Sequence, residues 1–261
     1  MDVQTARLLC DVTKDFYRRF GDSFSKTRRS AWPGWNPCLE VLREMLPLDQ
    51  GISVLDLACG NLRFEAFLAQ ELAPAKAAVF AVDDCDALAC DAAALAAPGA
   101  PAFDLHYQSL DILETLFEGA SLPDAIDAPL CDLSVCFGFM HHVPLSEQRA
   151  AVLDALVSKT RPGGFVVLSF WRFLDDEAYA AKARSEHGQA VRDLDLPPLP
   201  DNDCVLGWQG RPGAHRYCHS FTEEELDELA EGVQGRAVEA VRFRADGRKG
   251  QMNSYMILQV L

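Results

Sequence analysis

From Ile52 to Trp171 the chain repeats one pattern: a short, nearly unbroken apolar run, a turn, then a stretch with helical spacing. The runs are ISVLDL (52–57), AAVFAV (77–82), AFDLHY (102–107), LCDLSVCFGF (130–139) and FVVLSFW (165–171). Strands apolar on both faces belong to sheets covered on both faces, and parallel neighbours need crossover connections, which helices supply. The intervening segments fit that role. Phe64, Phe67, Leu68 and Leu72 follow the first run, an alanine-rich stretch to about Ala97 follows the second, and Leu145, Val152, Leu153, Leu156 and Val157 follow the fourth. Two further runs, 236–244 and 251–260, are joined by DGRKG and read as an antiparallel pair. The expected fold is α/β: a doubly wound, mostly parallel seven-stranded sheet with helices on both faces.

The flanks are helical. Leu8, Leu9, Val12, Phe16 and Phe20 mark a helix over 5–20, and the loop SFSKTRRSAWPGW follows. A second helix is expected to open with Asn36 as cap and Pro37 at the first helical position, and to stop at Pro47. Residues 172–205 hold eight acids and the run LPPLP, and read as an acidic helix plus an irregular insertion. Thr222 and Glu225 form a capping box that opens a last helix to about Glu231. This organisation is one domain, 1–261, made of an N-terminal helical cap (1–50), a core (51–171), an insertion (172–220) and a C-terminal helix with its strand pair (221–261).

Charge narrows the function. The net charge is −15, and residues 51–135 carry Arg63 and Lys76 against fourteen acids. A non-specific nucleic-acid binder is basic overall, so that class is excluded. Two short segments run the other way: Arg18, Arg19, Lys26, Arg28 and Arg29, then Arg242, Arg244, Arg248 and Lys249. Only there would a phosphate backbone find positive charge. No run reaches the ~18–20 apolar residues of a membrane span, and the first residues, MDVQTARLLC, lack a signal-peptide pattern. A cytoplasmic protein with no membrane partner is expected. Nine cysteines without a C-x-x-C pair agree with a reducing compartment, with neither disulfide nor structural metal.

The segment VLDLACGNLRFEAFL places an acid, Asp56, at a strand end and a glycine, Gly60, in the turn before a helix. Such a turn lets a ligand approach the backbone beneath the positive end of the helix dipole. Asp83, at the end of the second strand, is placed to accept hydrogen bonds from ribose hydroxyls. This stretch resembles motif I of the class I S-adenosylmethionine (SAM) methyltransferases, with Ala58 and Leu62 where the motif has further glycines. The resemblance continues in order over 52–171 and implies SAM as cofactor. It matches Asp83 to the ribose-binding acid, Asp111 to the acid beside the adenine, and Ile112 to the residue packing on the ring. Cys136, Phe137 and Gly138 match the segment along the methionine arm, and RPGGFVVLSF matches the following turn and strand.

A narrower resemblance covers the flanks. SFSKTRRSAWPGW, FMHHVPLSEQR, DCVLGW, HRYCHSFTEEEL and QMNSYMIL look like the tRNA methyltransferases that esterify 5-carboxymethyluridine at the wobble position, including the methyltransferase domain of AlkB-related enzymes. The chain departs from that pattern at Val143, Gly207 and Cys218. The resemblance implies Arg28 and Arg216 as a carboxylate clamp and His142 as the catalytic-side histidine of the His141-His142 pair. It implies Trp32, His141, Trp208, Tyr217 and His219 as substrate-binding residues. It also implies tRNA as a partner and a small activator subunit as another. The strong negative charge speaks for a rival, a small-molecule O-methyltransferase, and the glycine-poor loop for a second, a non-catalytic SAM-binding regulatory subunit.

Overall fold

The computed structural model describes residues 1–28, 30–46, 48, 51–72, 77–85 and 103–261. The alanine-rich stretch, Arg29 and the Pro47 stop lie outside the described residues. Five strands follow the expected rhythm: β1 (Ile52–Leu57), β2 (Ala77–Asp83), β3 (Phe103–Ser109), β4 (Cys131–Cys136) and β5 (Thr160–Trp171). The closing pair of the large sheet is β8 (Ala237–Ala245) and β9 (Asn253–Val260). Its order is β3-β2-β1-β4-β5-β9-β8. The first five strands run parallel, while β9 inserts antiparallel between β5 and β8. Chain order reverses between β1 and β4, and it is at such a switch point that doubly wound sheets open a crevice for ligands.

Period-2 alternation divides the core. On β5, Val166, Leu168 and Phe170 face one side, where α6 (Ser146–Ser158) contributes Val152, Leu153 and Leu156 and α8 (Glu223–Gly232) contributes Leu226 and Leu229. Phe165 and Val167 face the other side, with Trp35, Leu39 and Leu42 of α2 (Trp35–Met45) and Phe64, Phe67 and Leu68 of α3 (Arg63–Glu71). Two short helices, α4 (Ile112–Phe117) and α5 (Leu122–Ala125), complete the β3-to-β4 connection.

The structure corrects several boundaries. Helix α1 spans Val3–Lys26, so Ser23–Lys26 of the expected loop are helical, and Asp2 caps its start by accepting from the Thr5 N–H at 2.9 Å. Helix α2 begins at Trp35 behind Gly34, leaving Asn36 exposed inside the helix instead of capping it. Burial sets that start: Trp35 packs on Phe64, Phe67 and Phe137. The fourth apolar run leaves the sheet after Cys136 and turns into a 3₁₀ turn at Met140–His142. The capping box at Thr222 and Glu225 forms as expected.

The irregular insertion is more ordered than its sequence announces. Helix α7 (Glu177–Leu194) packs on a second sheet of two antiparallel strands, β6 (Asp203–Leu206) and β7 (Arg216–His219). Leu9 of α1 joins Val205, Tyr217 and Ala190 in a separate cluster, and the Tyr217 N–H donates to Thr13 Oγ1 at 3.0 Å. Cap and insertion therefore form one roof over the switch-point end of the large sheet.

Candidate active site

Beneath that roof lies a cavity of about 920 Å³, within the range of small-molecule sites. Its first wall is the loop between β1 and α3. Ala58, Gly60 and Leu62 all take left-handed backbone conformations, at φ 66°, 57° and 55°. Such conformations cost a side-chain-bearing residue about 1–2 kcal/mol. Leu62 is 2% exposed and packs with Cys59 and Ala81, so burial holds the turn that a glycine would make freely. The Ala58 and Cys59 N–H groups both donate to the Val82 carbonyl, folding the loop onto β2. A Cβ placed on Gly60 would meet no protein atom within 4 Å, which leaves the backbone there open to a ligand.

Asp83 and Asp111 frame this wall. Asp83 accepts from the Gly60 N–H at 2.8 Å and the Cys85 N–H at 2.9 Å, so its carboxylate is oriented by the loop itself. Asp111 caps α4 through the Glu114 N–H at 2.9 Å and pairs with Lys14 of α1. Asp84 and Ile112 complete the lining on this side. Burial, then the charges of Asp83 and Asp111, push the Asp84 carboxyl up to about 6.

Two expected cofactor residues stand elsewhere. Asp56 is 3% exposed and lies beneath the loop, outside the cavity lining, with its carboxyl beside that of Glu65. Cys136 is fully buried in the core and its thiol does not reach the cavity. Alternation along β4 turns it inward, whereas Phe137 and Gly138, just past the strand, line the cavity.

The opposite wall is cationic and aromatic. The Arg28 guanidinium lies 3.5 Å from the Phe24 ring centroid and 4.9 Å from that of Trp208. The Arg216 guanidinium approaches the same cluster, at 5.2 Å from Phe16 and 5.7 Å from Trp208. Among the described residues neither arginine has a carboxylate partner: Arg28 donates to Thr27 Oγ1 and Arg216 to the Gly207 carbonyl. Burial, with the charge of Arg216 adding to it, brings Arg28 down to about 10, still protonated at neutral pH. The Asn61 side chain donates to the Arg28 carbonyl at 3.3 Å, tying this wall to the first. Trp208 is half-buried behind the arginines and outside the lining, while Trp32 lines the cavity and stacks on Trp35.

Both histidines of the 141–142 pair reach the cavity, with different freedom. His142 Nδ1 lies 2.6 Å from the Tyr217 carbonyl, which only a protonated nitrogen can approach so closely. Its Nε2 therefore accepts from the Tyr17 hydroxyl at 3.0 Å. Among the described residues, His141 Nδ1 is buried and meets no hydrogen-bond partner. Burial lowers His142 to about 3 and His141 well below its ordinary value, so both rings are neutral at pH 7. His141, His142 and Cys218 bring their ligand atoms within 4.8 Å of one another. Burial pushes the Cys218 thiol up to about 12, and Arg216 and Arg28 oppose added positive charge, so this trio does not suit a cation.

Tyr217 and His219 correct the expectation that they touch substrate. Tyr217 is fully buried, with its hydroxyl on Asp203 at 2.7 Å, and so presents no face for a base to stack on. His219 is held between Asp203 at 2.6 Å and Glu225 at 3.0 Å. Arg149 completes the network from α6, fixing the insertion to the core.

Sequence reasoning missed Thr13, Lys14 and Tyr17 of α1, and Asp246 and Asn253 of the β8–β9 hairpin, all of which line the cavity. The first three share a helix face, and their spacing was the available signal. The hairpin residues had none, because only the fold brings them to the site. Asp246 accepts from the Gly34 N–H at 3.0 Å and from Tyr255 at 2.6 Å, pinning the Trp32–Gly34 turn to the sheet.

Comparison with known proteins agrees with this geometry. No protein-family model matches the chain. A tRNA (carboxymethyluridine(34)-5-O)-methyltransferase from Macaca fascicularis is 25% identical over 175 residues, which cover 65% of this chain and 21% of that protein. Its namesake from Arabidopsis thaliana is 23% identical over 169 residues, covering 62% of this chain and 34% of the relative. The matches thus take in about a third or less of these relatives' length. A SAM-dependent methyltransferase from Methanosarcina mazei superposes with a TM-score of 0.59 at 16% identity, covering 85% of this chain and 97% of that one. A 1,6-didemethyltoxoflavin-N1-methyltransferase from Burkholderia thailandensis does so at 0.56 and 16% identity, covering 95% and 86%. The fold is that of the SAM-dependent methyltransferases, with a Rossmann-like sheet.

Proposed function

We propose that this protein is a SAM-dependent methyltransferase whose acceptor atom is a carboxylate oxygen, and that the carboxylate of a 5-carboxymethyluridine in tRNA is the acceptor. The observation that carries the acceptor class is the pair Arg28 and Arg216, two guanidiniums in one cavity without an acidic partner among the described residues. In a chain of net charge −15, cations held together and left unpaired call for an anion from outside. Arginine suits a carboxylate because its planar fork can grip both oxygens.

The cofactor reading rests on the first wall. Gly60 leaves its backbone open, Asp83 is fixed at the end of β2 to take ribose hydroxyls, and Asp111 with Ile112 stands where an adenine would lie. When bound, SAM supplies an electrophilic methyl on a sulfonium, with a neutral thioether as the leaving group. A carboxylate, with a pKa of about 4, is already ionised at neutral pH, so no residue has to remove a proton. Catalysis then consists of holding one oxygen in line with the methyl and excluding water. The neutral histidines fit that division: His142 holds Tyr17, and His141, on the cavity lining, is left to hydrogen-bond the acceptor.

A second acceptor, a free small carboxylic acid, is favoured by the surface. Arg18 and Arg19 pair with Asp15, Lys249 with Asp176, and Arg242 with Glu223, Asp227 and Glu239, so much of the basic charge available to a phosphate backbone is already neutralised. Incubation with methyl-labelled SAM and either unmethylated tRNA or a panel of small acids separates the two. Base-labile label in tRNA nucleosides supports the first reading, and label in an organic acid alone the second. Base-stable label in every product would overturn carboxylate transfer.

A further inference from the structure

Directly under the cofactor loop, two carboxyls are shut away from water. Asp56, at the end of β1, is 3% exposed and Glu65, in the first turn of α3, is fully buried. The two are neighbours, each acting on the other's ionisation. Among the described residues, Asp56 Oδ1 and both Glu65 oxygens meet no donor of any other residue. The described titratable groups facing them are Asp83 from β2, Cys59 from the loop and Cys136 from β4, none of which is a cation. A polar pair without solvent or countercharge is costly, and an apolar residue at position 65 would fill the same face of α3 more cheaply.

Resting on the cofactor reading above, we infer that the Asp56–Glu65 pair is the element by which this site distinguishes the positively charged sulfonium of SAM from the neutral thioether of S-adenosylhomocysteine. Apart from the transferred methyl, the two ligands differ by the charge on sulfur. Their nucleoside and amino-acid portions are the same, so whatever Asp83, Asp84 and Asp111 contribute through those portions is common to both. The loop that would carry the methionine arm spans from Asp56 at its start to the helix bearing Glu65. A cation above the loop is therefore attracted by any charge on the pair across a water-poor layer, where such attraction is screened least.

The pair holds its protons into the neutral range. Burial pushes Glu65 up to about 7, with Asp83 adding to the effect, and raises Asp56 well above its ordinary value. Glu65 therefore takes on its charge around pH 7. The sulfonium favours the ionised form, so its binding expels a proton near pH 7, and affinity for SAM rises with pH. The thioether lacks that leverage. A shift of one pKa unit on binding corresponds to about a fivefold gain in SAM over S-adenosylhomocysteine between pH 6 and pH 8.

Calorimetric titration of the whole protein with each ligand, at pH 6 and pH 8 and in two buffers of different ionisation enthalpy, reads this directly. The expected result is proton release on SAM binding that exceeds the release on S-adenosylhomocysteine binding, and an affinity ratio that rises about fivefold from pH 6 to pH 8. Glu65→Gln should make the ratio independent of pH while both ligands still bind. Equal proton release for the two ligands in the wild type overturns the inference, and that measurement does not depend on the variant folding. An unchanged pH profile in folded Glu65→Gln overturns it as well. Binding of neither ligand would instead overturn the cofactor assignment, and the inference with it.

Discussion

The two walls of the cavity are built by opposite means. The cofactor wall is acidic and made largely of backbone: Gly60 and the start of α4, braced by Asp83 and Asp111, all within one stretch of alternating strands and helices. The acceptor wall is cationic and aromatic, and is assembled from Arg28 at one end of the chain and Arg216 far along it. Backbone geometry is set by the fold, so the first wall comes with the doubly wound sheet. The second depends on two distant segments meeting, so it can change its chemistry without disturbing the first.

The sharpest way to break this comparison is to remove the cations. Arg28→Ala combined with Arg216→Ala should lower turnover on the carboxylate acceptor by about a thousandfold, roughly 4 kcal/mol of transition-state positioning. SAM affinity should change less than threefold. Calorimetry on the same preparation checks both halves, and a parallel collapse of cofactor binding would show that the walls are not separable.

Tyr217→Phe separates a supporting role from a substrate-binding one. Without the hydroxyl, the buried Asp203 and Arg149 are each short of a partner, at a cost of about 1–3 kcal/mol. Thermal unfolding should therefore drop by several degrees, whereas KM for the acceptor should hold, because Tyr217 does not reach the cavity. A raised KM with unchanged stability would return this ring to the substrate.

That variant also marks where the sequence stopped being legible. Apolar runs announced β1 to β5 because a strand covered on both faces has to be apolar throughout, and the cofactor wall followed because its residues lie at strand ends. The pair β6–β7 was invisible: four-residue strands carrying Asp203, Arg216 and His219 have no periodicity to read. Their polar residues are buried because they satisfy one another, which is a tertiary fact. Asn36 misled for a related reason. Its side chain suits a cap, but the burial of Trp35 moved the helix start two residues earlier.

Asp83→Ala probes the cofactor wall with a smaller effect. Removing an acid that accepts from Gly60 and Cys85 and is aimed at ribose hydroxyls should weaken SAM binding about tenfold, or 1.4 kcal/mol. With SAM saturating, KM for the acceptor should be retained. Unchanged SAM affinity would move the nucleoside away from β2 and undo the assignment of this wall.

The smallest effect is expected outside the cavity, and it bears on which acceptor the cationic wall serves. Arg18, Arg19 and Lys249 sit in ion pairs with Asp15 and Asp176, and pairs this exposed contribute little to stability. Neutralising these three together with Arg248 should leave stability nearly unchanged. If tRNA is the acceptor, phosphates must displace Asp15 and Asp176 to use these cations. The logarithmic salt slope of binding should then fall by roughly 0.7–0.9 for each phosphate that the protein no longer neutralises. A free acid reaching Arg28 and Arg216 would ignore the substitutions at every salt concentration. A wild-type salt slope in the quadruple variant, or no salt-sensitive tRNA binding by the wild type, would therefore assign the cationic wall to a small carboxylate, whereas a flattened slope with turnover preserved at saturating tRNA would assign it to the wobble nucleoside.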